Sequence, residues 1–107
     1  MIAFEVRLNG KRICIAGAED LAVLNTIITA SGKLGPKTVP VRPDDTNREI
    51  FYFVGGLTAR PDPEEDVHVR WKSIAPLKVG DVIQVKVLDV KKVDRAKSRK
   101  KAVPKRG

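Results

Sequence analysis

Glu19-Asp20-Leu21-Ala22-Val23-Leu24-Asn25-Thr26-Ile27-Ile28-Thr29-Ala30-Ser31-Gly32 is the stretch on which the fold class turns. Two acids open it, where a helix N-terminus favours negative charge. Leu21, Leu24 and Ile28 fall on one helical face with Ile27 beside them, and Gly32 suits the position just past a helix C-terminus. Against this stands the β-branched run Thr26-Ile27-Ile28-Thr29, whose side chains lose χ1 freedom in a helix. The periodicity predicts a helix here.

Before this stretch, Ile2, Phe4, Val6 and Leu8 alternate with Ala3, Glu5, Arg7 and Asn9, the pattern of a half-buried strand. Asn9-Gly10 is the preferred pair for a type I′ turn. Lys11 to Ala16 then returns as a second strand, with Ile13 and Ile15 on one face and Cys14 and Ala16 on the other. After it, residues 33–48 carry Pro36, Pro40 and Pro43 and read as an extended loop, with room for a short edge strand around Thr38–Val41. A loop this long in a small domain is functional or mobile. Glu49 to Val54 is apolar on both faces, as an interior strand covered on both sides would be. Gly55-Gly56 interrupts it, pointing to a bulge or a close backbone approach. Arg60 to Asp66 is an acidic, proline-containing turn. Val67, Val69 and Trp71 alternate with His68, Arg70 and Lys72, and Val82 to Val90 alternates again. The expected order is β-β-α-β-β-β. It implies an α+β domain with one mainly antiparallel sheet and one helix packed on it, as in a β-grasp; a small open β-barrel is the alternative.

The net charge of +8 is unevenly spread. Residues 91–107 hold nine cations (Lys91, Lys92, Arg95, Lys97, Arg99, Lys100, Lys101, Lys105 and Arg106) against one acid, Asp94, while residues 1–90 hold twelve of each sign. The expected organisation is therefore a neutral globular domain over 1–90 and a basic tail over 91–107. Like-charge repulsion favours disorder in such a tail, though Lys91 to Lys101 could become helical on a polyanion. The N-terminus has no signal-peptide pattern. No apolar run approaches the roughly eighteen residues of a membrane span. With a single cysteine, the expected location is cytoplasmic.

Catalytic chemistry finds no support. Cys14 lies mid-strand between Ile13 and Ile15 and reads as a structural thiol; His68, the one histidine, reads as a solvated imidazole. Val54-Gly55-Gly56-Leu57 lacks the lysine and following helix of a phosphate loop. The acids of Asp62–Asp66 and Asp44-Asp45 form neither an acid/base pair nor a metal cage. No metal or cofactor is implied, and the expectation is a non-enzymatic protein.

Binding has two supports. The tail would gain affinity for DNA or RNA by releasing counterions, with a log–log salt slope near −5 if about six cations meet phosphates. It contains no aromatic side chain for base stacking, so its contacts would be blind to sequence. The second support is a sheet patch. If the strands around residues 67–72 and 82–90 pair, His68, Arg70 and Lys72 would lie beside Gln84 and Lys86 on one basic face. Trp71, Tyr52 and the phenylalanines read as core. A second function class remains open: an assembly module that pairs with itself or another protein through a sheet edge.

Phe4-Glu5-Val6-x-Leu8-Asn9-Gly10, Val54-Gly55-Gly56-Leu57, Arg70-Trp71 and Leu77-Lys78-Val79-Gly80-Asp81 together resemble a group of short uncharacterised bacterial proteins, over residues 4–90. These are turn and core signals. The resemblance implies a stand-alone bacterial domain and transfers no functional residues.

Overall fold

A computed structural model describes residues 1–39 and 48–101. In them the chain forms seven strands: β1 (Ile2–Leu8), β2 (Lys11–Ala16), β3 (Leu21–Ser31), β4 (Glu49–Thr58), β5 (Val67–Pro76), β6 (Ile83–Asp89) and β7 (Ser98–Lys101). They make two antiparallel sheets, ordered β2-β1-β6 and β3-β4-β5-β7. The expected α+β fold is therefore overturned: among the described residues there is no helix, and neither a β-grasp nor one continuous open barrel is formed. The proposed edge strand around Thr38–Val41 falls partly outside the described residues.

The deciding stretch is β3, paired with β4 from Leu21↔Thr58 to Ser31↔Glu49. Leu24, Thr26 and Ile28 lie opposite Gly56, Val54 and Tyr52, while Asn25, Ile27 and Thr29 lie opposite Gly55, Phe53 and Phe51. Alternation puts these two sets on opposite faces of the sheet. Both faces thus carry apolar side chains, and the spacing of Leu21, Leu24 and Ile28 mimics a helical stripe without being one. The β-branched run tips the balance, because stiff branched side chains pack well on a pleated surface. Pairing with β4 along the whole segment supplies the backbone hydrogen bonds.

The β1–β2 hairpin forms as its sequence predicts. Asn9 (φ 52°) and Gly10 (φ 82°) both adopt the positive φ that the tight turn requires. Asn9 also ties this turn to the entry of β6. Its amide donates to Asp81 Oδ1 at 3.0 Å, and its Oδ1 accepts from Val82 N–H at 2.9 Å. β6 does not pair with β5, its neighbour in sequence. It pairs with β1, from Ile2↔Asp89 to Leu8↔Ile83.

The core lies between the sheets. Val6, Cys14 and Ala16 meet Tyr52, Val54, Val69 and Trp71. The molecule is flat, 48 × 42 × 19 Å, with a radius of gyration of 16.7 Å; a compact domain of this length would have about 13 Å. Burial is correspondingly confined to the middle. Val6 is fully buried, yet Val85 opposite it on β6 is 40% exposed, and Val87 opposite Phe4 is 66% exposed. Gly55 and Gly56 do not interrupt β4, which runs through them to Thr58, but they mark the expected close backbone approach. A Cβ at Gly55 would stand 2.8 Å from Val69 O, and one at Gly56 would clash with Val23 O. The β4–β5 ladder also shifts register between Val54 and Gly55.

Candidate nucleic-acid interface

Residues 91–101, the first part of the segment expected as a tail, lie against the body. Asp94 anchors them. Its N–H donates to Ile15 O at 2.9 Å, its carboxylate accepts from Ile15 N–H at 2.8 Å, and its carbonyl accepts from Trp71 Nε1 at 2.8 Å. Ile15 belongs to β2 and Trp71 to β5, so this residue bridges the two sheets. Lys97 N–H then donates to Arg70 O at 2.7 Å, and β7 continues beside β5 with Arg70↔Ser98, Val69↔Arg99, His68↔Lys100 and Val67↔Lys101. A four-residue strand of Ser, Arg and Lys carries no apolar pattern to reveal it. The hint in the sequence is that its approach holds the one acid of a basic run.

This path distributes six cations over two surfaces, while Lys97 lies close enough to Cys14 to influence its titration. Lys91, Lys92, Arg95 and Arg99 line an open cleft of about 460 Å³, bordered by Met1, Gly17, Ala18 and Glu19. The terminal ammonium at this border is already engaged, 3.1 Å from Asp89 Oδ1 and 2.9 Å from Val90 O. On the opposite face of the sheet, Lys100 lies beside His68 and next to Arg70. The Arg70 guanidinium sits 4.2 Å from the centroid of the Phe53 ring, a contact worth about 0.5–1 kcal/mol at an exposed site. Phe51 shares that face. Lys101 is paired, its Nζ 3.0 Å from Glu65. Lys105 and Arg106 lie outside the described residues.

The expected sheet patch is not assembled. β5 and β6 belong to different sheets, so Arg70 and Lys72 do not lie beside Gln84 and Lys86. Lys86 is instead opposite Glu5 on β1, and with Gln84, Glu5 and Arg7 it lines a separate hollow of about 200 Å³. The Glu5 carboxylate there accepts from Arg7 Nε at 3.0 Å, so this surface has mixed charge. Lys72 is half-buried and close enough to Cys14 to influence its titration. It is not part of a solvated basic face.

The aromatics divide as well. Trp71 and Tyr52 are core, each 1% exposed, as expected. Phe51 and Phe53 are not: they flank Tyr52 on β4, point to the face away from the first sheet, and do not pack against the core cluster. Alternation along a strand with large residues at every position conceals which face the second sheet covers. The result is a face on which Phe53, Arg70, His68 and Lys100 follow one another, with Phe51 farther along β4 opposite Pro76.

Neither candidate for catalysis gains a partner. Burial, and to a lesser degree the Asp94 carboxylate, push the Cys14 thiol up to about 11, so it is protonated and inert at neutral pH. His68 is exposed, and no group of three or more His, Cys, Asp or Glu among the described residues could hold a metal. No helix among them is long and apolar enough to cross a membrane. No family model, curated protein or solved structure matches the chain. Its own residues must carry the functional reading.

Proposed function

We propose that the protein is a non-enzymatic, cytoplasmic nucleic-acid-binding module that holds DNA or RNA along its β5–β7 side. The observation that carries this reading is the concentration of the whole net charge in residues 91–107, with Arg99, Lys100 and Lys101 fixed beside β5 and Lys91, Lys92 and Arg95 lining the adjoining cleft with Arg99. Fixed cations lose less conformational freedom on binding than those of a free tail. Their contacts would be to phosphates, which position a strand without reading its sequence. Phe51, Phe53 and the Arg70 guanidinium add flat surfaces for unstacked bases. Such stacking is tolerant of sequence and favours single strands. Duplex DNA would meet the charge but could not reach the rings.

The test is fluorescence anisotropy with labelled single-stranded DNA, single-stranded RNA and duplex DNA across a salt series. If the four cations of the cleft, Lys91, Lys92, Arg95 and Arg99, meet phosphates, the expected log–log slope is about −3 for single strands. Single strands should bind more tightly than the duplex at equal salt. Absence of binding at low salt, or a slope near zero, rejects the proposal.

A further inference from the structure

The two sheets present four edge strands, and three are protected by recognised means. β2 is covered at Ile15 by Asp94. β7 is four residues long and cationic, and β6 carries Lys86 at its middle. Short strands, lysines and covering segments all discourage pairing between chains. β3 has none of them, and its one irregularity, a bulge between Leu21 and Val23, leaves residues 23–31 regular. It runs for eleven residues without a charge or a proline, and Val23, Ile27 and Ile28 on it are 46%, 36% and 55% exposed. A cytoplasmic protein leaving such an edge open would aggregate unless something paired with it.

We infer that β3 is the interface through which two copies of this chain pair, antiparallel about a two-fold axis at Thr26. Between the bulge at Ala22 and Thr29, antiparallel pairing of two copies there sets Leu24 opposite Ile28 on one face and Val23 opposite Thr29 on the other, with Asn25 against Ile27 the one mixed pair. A two-fold interface must be self-complementary in this way, whereas an edge evolved for a different strand need not be. Thr26 supplies an independent observation. Its Oγ1 is buried and has no hydrogen-bond partner among the described residues. At the centre of the pairing, its counterpart would lie directly opposite, with Cβ atoms about 5 Å apart, a spacing at which threonine hydroxyls hydrogen-bond across strands.

The inference goes beyond nucleic-acid binding and stands without it. Sedimentation or light scattering of the intact chain at micromolar concentration should give twice the chain mass. Thr26→Lys, which sets like charges opposite each other, should return the monomer with an unchanged far-ultraviolet spectrum. Register is read separately by thiol cross-linking, for which buried Cys14 gives little background. Thr26→Cys should link to itself on mild oxidation. Val23→Cys alone should not, but should link when mixed with Thr29→Cys. A wild-type monomer overturns the proposal and leaves the edge to a strand from another protein. A dimer in which Val23→Cys links to itself as readily as Thr26→Cys overturns the two-fold at Thr26.

Discussion

Removing the Asp94 carboxylate tests how the basic segment is held. Asp94→Ala deletes the acceptor for Ile15 N–H but leaves both backbone hydrogen bonds of residue 94 in place. A hydrogen bond to a charged group contributes about 1.5–3 kcal/mol when buried. This one is at the surface, where the freed N–H can bind water, so the loss should be nearer about 1 kcal/mol. For a domain of this size that lowers Tm by about 4 °C. Trp71 is the only tryptophan, and its indole N–H donates to the carbonyl of this same residue. Its emission therefore reports the strap locally, while urea unfolding reports the whole. Asp94→Ala should lower the urea midpoint and red-shift the emission of the native state. Asp94→Asn, whose amide oxygen can still accept, should do less of both. If Asp94→Ala leaves midpoint and emission unchanged, the carboxylate does not hold the strap. A loss above about 4 kcal/mol would place residue 94 in the core, which its exposure contradicts.

Gly56→Ala should cost about 1–3 kcal/mol by overpacking, because its Cβ would meet the backbone oxygen of Val23; equilibrium unfolding checks this, and a neutral result would place β3 farther from β4. Phe53→Ala should weaken single-stranded binding by about 1–3 kcal/mol while leaving the salt slope unaltered, so anisotropy titrations separate stacking from charge. Cys14 carries a pH dependence. Its thiol is raised from 9.0 to about 11 by burial first and Asp94 second, and burial also raises the Tyr52 hydroxyl. The folded state thus holds these protons longer than the unfolded one, so stability is unaffected below pH 9 and falls as pH rises towards about 11. Urea midpoints of Cys14→Ala should fall less steeply over that window than those of the wild type.

Local features were legible in the sequence where local chemistry decides them. Asn9-Gly10 demanded its turn, Gly55-Gly56 marked a close approach, and Val67 to Trp71 alternated as the half-buried strand it is. β3 was misread because a strand with apolar residues on both faces satisfies a helical stripe by chance, and its pairing with β4 lies outside any local window. The neighbour of β6 was hidden for a related reason. Adjacency in sequence favours β5, yet the partner is β1, some eighty positions earlier. That single non-local pairing separates Lys86 from Arg70 and dissolves the expected patch. For the interface, charge was visible and its placement was not. Asp94 fixes the placement, through hydrogen bonds to residues 79 and 23 positions away.

The pairing of β1 with β6 also imposes an order in time. β1 is the central strand of its sheet, but β6, one of its two partners, is synthesised only after β2, β3, β4 and β5. Until then the β1–β2 hairpin has one flank unpaired and no completed sheet to pack on. Long-range pairings of this kind slow folding, and exposed strands are vulnerable to aggregation while they wait. The nascent chain should consequently depend on holding factors until β6 emerges, and moving β6 ahead of β1 by circular permutation should shorten that dependence.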